Sequence, residues 1–267
     1  MVWPLVSAYP DYVLQLAALL ADPLYRGANV PHGRGEPVLL IPGFLNSDRA
    51  LGVMGRWLGR IGYQVYCSGI RWNIHCPNQT GEFLRGKLRE IARQTRRPLA
   101  VIGHSLGGVL ARFLGANFPE YIGRVVAVGS PIDGSMRVHP LIPFTFRMVQ
   151  SLRHVAGGLL PPCARARRLE CTCHFVRTAF AALPESVGFT AIFSDRDEIV
   201  DWRACVTARG DNHLVSGQHV GLIVNREVYR IIAHTLARHF SAPGGRTAAA
   251  GRPGEAEYCP APRPHNI

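Results

Sequence analysis

The segment VIGHSLGGVLARF, residues 101–113, constrains the fold of this chain more than any other stretch. An apolar run ends at Gly103, Ser105 follows, and an apolar helical pattern begins directly afterwards. The pattern G-x-S-x-G between a strand and a helix forces a sharp turn that lifts the serine above the sheet edge. Side chains two positions before and after the serine would clash in such a turn, which explains Gly103 and Gly107. We therefore predict a strand, a strained turn at Ser105 and a helix over 106–117.

Short apolar strands and amphipathic helices alternate along the chain on both sides of this turn. The alternation predicts an α/β fold with a doubly wound, mostly parallel sheet. Continuous apolar strands are typical of a sheet that is covered on both faces. The predicted strands are 38–41, 64–70, 99–102, 124–131, 189–195 and 212–216, and the predicted helices are 50–61, 80–95, 106–117 and 226–240.

The alternation also divides the chain into segments. Residues 36–240 are predicted to form the α/β domain, and 1–35 a helical lead-in. Residues 134–187 interrupt the alternation, are rich in Pro and Arg, and are long for a loop inside a compact domain. We predict that they form a cap over the carboxyl ends of the strands, where open α/β sheets hold their sites. The Pro-, Gly- and Ala-rich residues 241–267 are predicted to be a disordered tail.

A serine hydroxyl needs a base to act as a nucleophile, and the base needs a carboxylate to orient it. Where the serine lies on a turn of this kind, the order along the chain is serine, acid, histidine. His219 follows the last predicted strand in a Gly-flanked loop, so we predict it as the base for Ser105. The other late histidines fit a strand or a helix face better: His213, His234 and His239.

The acid is less clearly defined, because several carboxylates follow strands. Asp195, Asp197 and Asp201 compete within FSDRDEIVDW. Asp197 is favoured because it lies in the loop just past the strand, and two apolar residues that could anchor the loop follow Glu198. Asp133, which follows the previous strand, stays open as the alternative.

A tetrahedral intermediate also needs donors for its negative oxygen. Removing one such donor typically raises the barrier by about 3 kcal/mol. The backbone N–H of Leu106, directly after the serine, is predicted to supply one donor. The N–H of Phe44, in the turn that follows the first strand, is predicted to supply the other. His104, beside the serine, is expected to shape the floor of the pocket.

The motifs IPGF, GHSLGG, VVAVGSP, SDRDEIV and GQHVGL together resemble those of the α/β-hydrolase fold, in particular its lipase- and esterase-like members, over about residues 36–240. The resemblance implies a triad of Ser105, His219 and Asp197 that cleaves carboxylic esters through an acyl-enzyme. It implies neither a metal nor an organic cofactor. The sequence departs from similar proteins in having IPGF in place of the commoner HG-x form, and Glu198 where Gly is frequent.

The predicted cap carries apolar residues that suggest a wall for an acyl chain. We therefore predict short-to-medium acyl esters, either small-molecule or lipid-like, as substrates. An acyltransferase or thioesterase with the same triad is the alternative, since nothing in the sequence fixes the acyl acceptor. The residues in question are Leu141, Ile142, Phe144, Phe146, Met148 and Leu152.

The net charge of +12 raises the question of nucleic-acid binding. The basic residues are spread along the chain and are not interleaved with aromatic residues, so an Arg-rich solvated surface explains the charge better. No apolar run reaches the roughly 20 residues of a membrane span. No basic residue precedes the apolar patch near the N-terminus, so a signal peptide is not expected and a cytoplasmic location is. No pattern indicates an oligomeric state.

The seven cysteines allow several interpretations. Cys171 and Cys173, with Cys163 nearby, could hold a metal ion, but the spacing is not that of a zinc ribbon. A disulfide from Cys171 or Cys173 to Cys205 is an equal alternative. Small buried thiols are a third.

Overall fold

The computed structural model describes residues 3–135, 137–155 and 173–241. Its centre is a six-stranded sheet in the order β2-β1-β3-β4-β5-β6, and every neighbouring pair is parallel. The strands are β1 Pro37–Ile41, β2 Gln64–Cys67, β3 Leu99–His104, β4 Ile122–Val128, β5 Gly188–Ser194 and β6 Asp211–Val215. The α-helices are α1 Trp3–Ala21, α2 Gly52–Arg60, α3 Pro77–Thr95, α4 Leu106–Asn117, α5 Leu141–Val155, α6 His174–Thr178 and α7 Arg226–Ser241.

Helices cover both faces of the sheet, which confirms the doubly wound architecture. Successive residues of each central strand enter opposite cores: Leu39 of β1 packs with α3 and α4, whereas Leu40 packs with α2 and α7. Strands β1 and β3 are buried at every position, as expected for the middle of a parallel sheet. The edge strands β2 and β6 are only partly buried.

The observed elements differ from the predicted ones mainly at their ends. Helix α3 begins at Pro77, not at residue 80, because proline fits the first helical turn, where its missing N–H is no loss. The prediction of a strand over 124–131 is wrong at its end, since β4 stops at Val128. Gly129 adopts a left-handed φ of 55°, which breaks the extended backbone there.

The interval 134–187 contains α5 and α6, and residues 156–172 lie outside the described part. Both ends of the interval are attached to the domain. Val138 pairs with Val200 in an antiparallel bridge. Phe175 of α6 packs against Phe113 of α4, with ring centroids 5.1 Å apart. The assignment of this interval as a cap stays a prediction, as does the disordered tail, which beyond Ser241 also lies outside the described residues.

The cysteines do not follow the disulfide prediction. Cys205 is a buried free thiol, so it forms no bond to Cys171 or Cys173. Cys67, at the end of β2, is disulfide-bonded, and nothing in its spacing points to this. Because disulfides persist mainly in oxidising compartments, this bond does not favour the cytoplasmic location, which stays a prediction. Cys163 and Cys171 lie outside the described residues, and the metal interpretation with them.

Arg112 fastens the segment after α6 to helix α4. Its guanidinium donates to the carbonyls of Ala179 at 2.6 Å, Ala181 at 2.8 Å and Phe180 at 3.4 Å. We expect Arg112→Met to lower the free energy of unfolding by about 1–3 kcal/mol, because carbonyls lose charged donors while the alkyl stem is kept. Urea denaturation measures the change. The exposed Arg93→Met on α3 is the control, and an equal loss in both variants would contradict this role for Arg112.

Candidate active site

Ser105 lies on a strained turn between β3 and α4. Its backbone has φ 54° and ψ −124°, in a region that costs a non-glycine residue about 1–3 kcal/mol. A Cβ at Gly103 would collide with the Gly107 carbonyl, and a Cβ at Gly107 with the carbonyl of Ile41. The Ser105 N–H donates to the Val128 carbonyl of β4 at 2.8 Å. The structure thus gives both glycines the steric reason expected from the sequence.

The loop that follows β1 lies against this turn. A Cβ at Gly43 would be 3.1 Å from Cβ of Ser105, so the loop approaches the serine closely. Within the part of the chain that the structure describes, neither Phe44 nor Leu106 donates its backbone N–H to a protein acceptor. Both predicted oxyanion donors are therefore unpaired among the described residues, and they lie on two segments that meet at Ser105.

Asn73 holds the shape of this loop, and the sequence did not single it out. It is buried, and its Nδ2 donates to the carbonyl of Pro42 at 2.8 Å. Its backbone N–H donates to Asn46 at 2.8 Å, and its carbonyl accepts from Leu45 at 3.1 Å. Leu45 is held at a φ of 60°. These bonds cross between two loops, so no local pattern could have identified Asn73.

Asp197 and His219 form a buried pair. Oδ2 of Asp197 and Nδ1 of His219 are 2.7 Å apart, with 2% and 7% of the respective side chains exposed. The other carboxylate oxygen, Oδ1, accepts from the N–H groups of Ile199 and Val200, both at 2.8 Å. The apolar pair that follows Glu198 thus fixes the carboxylate through its backbone.

The competing carboxylates are used elsewhere. Asp133 is exposed and accepts from Ser135 in its own turn. Asp201 caps the short helix Trp202–Cys205 by accepting from the Arg203 N–H at 3.0 Å. Asp195 is exposed at the end of β5. Of the four candidates, the structure brings only Asp197 to His219.

The backbone of His219 is held as firmly as its ring. Its N–H donates to Oε2 of Glu198 at 3.0 Å. Its carbonyl lies 3.1 Å from Nε2 of His104, and the two rings are 4.7 Å apart. From α1, Asp11 accepts the N–H of Gln218 at 3.2 Å. Glu198, which stands where similar proteins often have glycine, therefore anchors the loop that carries His219 (the histidine loop). The sequence alone did not indicate this role.

The serine turn and the acid–histidine pair meet at the end of β4. The N–H of Ser105 is hydrogen-bonded to the carbonyl of Val128, the last residue of β4. A Cβ at the next residue, Gly129, would lie 3.4 Å from both Cε1 of His219 and Oδ2 of Asp197. His213 belongs to β6, and His234 and His239 to α7, so these histidines lie outside this cluster. The cluster brings together Ser105, Asp197 and His219, the three residues predicted as nucleophile, acid and base.

Burial keeps His104 neutral. Removal from water, and secondarily the neighbouring His219, lower its pKa from 6.5 to about 3. Because a carbonyl only accepts, the neutral ring must carry its proton on Nε2, which donates to His219. His104 thus forms the floor of the site and also binds the histidine loop.

Helix α5, in the interval predicted to be a cap, approaches the site through Phe146. Phe146 lies against Phe44, with ring centroids 5.6 Å apart. The expected apolar wall is only partly formed, since Phe146 and Ile142 are half-buried and the other four residues of the set are exposed, between 38% and 62%. An amphipathic helix with one face toward the domain leaves its other apolar residues in solvent.

Two further properties bear on the kind of site. Among the described residues, no group of three or more His, Cys, Asp or Glu side chains is placed to hold a metal ion. No helix within the described ranges combines the length and apolarity of a membrane span.

Two curated proteins, both called triacylglycerol lipase, are similar to parts of the chain. The one from Burkholderia plantarii is 27% identical over 126 residues, which cover 44% of this chain and 35% of the relative. The one from Pseudarthrobacter phenanthrenivorans is 29% identical over 108 residues, which cover 37% and 34%. The similarity thus spans about a third of the length of these relatives. No protein-family profile matches the chain.

Among solved structures, a soluble variant of monoglyceride lipase from Saccharomyces cerevisiae has a TM-score of 0.52 with this chain. The superposition covers 80% of this chain and 91% of that one, at 16% sequence identity. At this identity the likeness is one of fold, and it confirms the fold that the motifs predict.

The lowered pKa of His104 makes stability depend on pH. In the unfolded chain His104 is protonated below about pH 6.5, whereas in the folded chain it is protonated only below about pH 3. Between these pH values the unfolded state binds one more proton, so the free energy of unfolding falls as the pH is lowered. We expect His104→Gln, which keeps a donor, to flatten this fall by at most about 1.4 kcal/mol per pH unit. Urea denaturation between about pH 4 and pH 7 measures it. An unchanged slope in His104→Gln would contradict the assignment.

Proposed function

We propose that this chain, which has the α/β-hydrolase fold, hydrolyses carboxylic esters through an acyl-enzyme formed on Ser105. The observation that carries the proposal is the buried pair of Asp197 and His219, 2.7 Å apart, at the strand end to which the serine turn is bonded. Fold alone does not define an activity, but a strained serine beside an oriented imidazole is suited to nucleophilic catalysis.

In this proposal Oγ of Ser105 attacks the ester carbonyl carbon and gives its proton to Nε2 of His219. The carbonyl π electrons move to oxygen, and the N–H groups of Phe44 and Leu106 stabilise that oxyanion. The tetrahedral intermediate collapses, His219 protonates the leaving alcohol, and an acyl-serine remains. Water repeats the sequence, which releases the acid and restores Ser105.

Asp197 orients the imidazole and stabilises its protonated form. Its Oδ2 accepts from Nδ1 of His219, which leaves Nε2 as the basic nitrogen. The two backbone donors on Oδ1 hold the carboxylate in place. Glu198 and His104 fix the backbone of the same histidine, so its ring has little freedom to turn away from the serine.

The substrate class is proposed from the cap and from the relatives. Phe146 and Phe44 place aromatic surface beside the loop proposed to hold the oxyanion. The two similar proteins are called triacylglycerol lipases. We therefore propose lipid-like esters with short-to-medium acyl chains, with residues 134–187 as the cap that selects them.

Hydrolysis of p-nitrophenyl esters from acetate to palmitate tests the nucleophile and the acyl pocket together. We expect wild-type activity with an optimum at short-to-medium chains, and loss to the background rate in Ser105→Ala. A fluorophosphonate probe should label wild type and not the variant. Equal rates in both proteins would overturn the proposal, and acyl transfer to an added alcohol in preference to water would move it to a transferase.

Two isosteric substitutions test the acid. Asp197→Asn should lower kcat by about 10³–10⁴-fold, because the amide no longer orients and stabilises the imidazolium. Asp133→Asn, the matched control at the other candidate carboxylate, should change kcat by less than about twofold. The comparison is made at saturating ester, with circular dichroism as the check of folding. A large loss in Asp133→Asn with little in Asp197→Asn would reverse the assignment.

A further inference from the structure

A groove of about 1000 Å³ runs between α1, the edge strand β6 and α7. None of the residues proposed for catalysis is among the described residues that line it. The volume lies within the range of small-molecule sites, roughly 300–1000 Å³. The groove is therefore a second concave surface, separate from the serine site.

Helix α7 lines the groove with basic residues at every fourth position: Arg226, Arg230, His234 and Arg238. Residues four apart lie on one helix face, about 6 Å from each other along the axis. The four side chains thus form a row of donors along one wall, on a chain whose net charge is +12.

The two ends of this row are paired, and its centre is not. Arg226 pairs with Asp22, which directly follows α1, at 3.4 Å, and Arg238 pairs with Asp211 of β6 at 3.7 Å. Arg230 and His234 have no acidic partner within 4 Å among the residues that the structure describes. Glu227, which also lines the groove, is the nearest carboxylate to Arg230 by helical position.

The opposite wall adds an unsatisfied polar atom. His213 of β6 lines the groove, and its Nε2 is buried with no hydrogen-bond partner in the described part of the chain. Leaving such an atom buried and unpaired costs about 1–3 kcal/mol, so a ligand that bonded to it would recover that energy. In the tautomer that carries its proton on Nε2, the ring can donate this proton to an anionic oxygen of a ligand.

The groove also has apolar lining residues, beside Gln15 of α1. Leu14 and Ala18 of α1 line the groove, and Leu14 is 70% exposed. Ile231 of α7, next to Arg230 in the chain, lines it as well. An apolar strip beside unpaired donors matches a ligand that has an alkyl chain and one anionic end.

We propose that this groove binds a long-chain carboxylate. The carboxylate lies at Arg230 and His234, with His213 as a further donor, and the alkyl chain follows Leu14, Ala18 and Ile231. The planar guanidinium suits a carboxylate because two parallel N–H groups can donate to its two oxygens. The paired ends of the row confine the anion to the centre.

Calorimetric titration of the full chain with decanoate tests the site. Arg230→Gln/His234→Gln should weaken decanoate binding at this site at least tenfold. The control Arg89→Gln/Arg93→Gln removes two exposed basic residues of the same spacing on α3 and should bind as wild type does. Equal affinity in the two double variants overturns the proposal. Hydrolysis of p-nitrophenyl butyrate, followed in the same variants, reports failure of the catalytic proposal separately.

Fragments of the ligand distinguish its two halves. Acetate has the charge without the chain and 1-decanol the chain without the charge, so each should bind at least tenfold more weakly than decanoate. Binding of either fragment as tightly as decanoate overturns the assignment. In the NMR spectrum of the wild-type chain, decanoate should shift the imidazole signals of His213 and His234, and unmoved signals would exclude this groove even if a variant failed to fold.

Vesicle binding distinguishes recognition of a single carboxylate molecule from recognition of a membrane surface. Phosphatidylcholine vesicles that contain phosphatidylglycerol present anionic head groups without free carboxylate monomers. If the groove variant lost vesicle binding while it kept decanoate binding, the row would be a membrane contact and the proposal would be wrong. Loss of decanoate binding with unchanged vesicle binding is the expected result.

Discussion

The close approach of backbone at the ends of β1 and β3 is the constraint on which the site depends. Gly107 lies against the Ile41 carbonyl and Gly103 against Gly107, so no side chain fits at either position. This contact brings the loop after β1 against Ser105, and the bond from Ser105 to Val128 adds the end of β4. Three neighbouring strands therefore end at one point, which is also where the strand order reverses and open α/β sheets hold their sites.

The second organising feature is that the catalytic candidates are held by backbone as much as by side chain. Asp197 accepts from two peptide N–H groups besides the imidazole, and His219 is bonded at its N–H, its carbonyl and its ring. The neutral His104 completes the arrangement, because a charged imidazolium in its place would face His219 without solvent.

Much of this could be predicted because the responsible forces are local. The clash at Gly103 is with the nearby Gly107 carbonyl, and the periodicity of α4 and the apolar runs of the central strands are visible in any short window. The clash at Gly107 is with Ile41 of β1, so the turn pattern predicted that glycine without revealing its contact. The choice of Asp197 over Asp133 could be argued but not decided, since both follow strands and only the three-dimensional path of the histidine loop separates them. Asn73 and Glu198 act across long separations in the chain and leave no periodic trace, and no pattern marks the disulfide at Cys67. The end of β4 could not be predicted, because it depends on the left-handed φ angle of a single residue, Gly129.

The contact between Phe146 and Phe44 joins helix α5 to the loop that follows β1. Phe44 belongs to the segment proposed to hold the oxyanion, and the hydrogen bonds of Asn73 fix the shape of that segment. A substrate wide enough to separate the two rings therefore presses on the same loop whose N–H must be aimed at the developing charge. In the proposed reaction, the width of the acyl group then affects turnover and not only binding, so selectivity among esters appears in kcat as well as in KM.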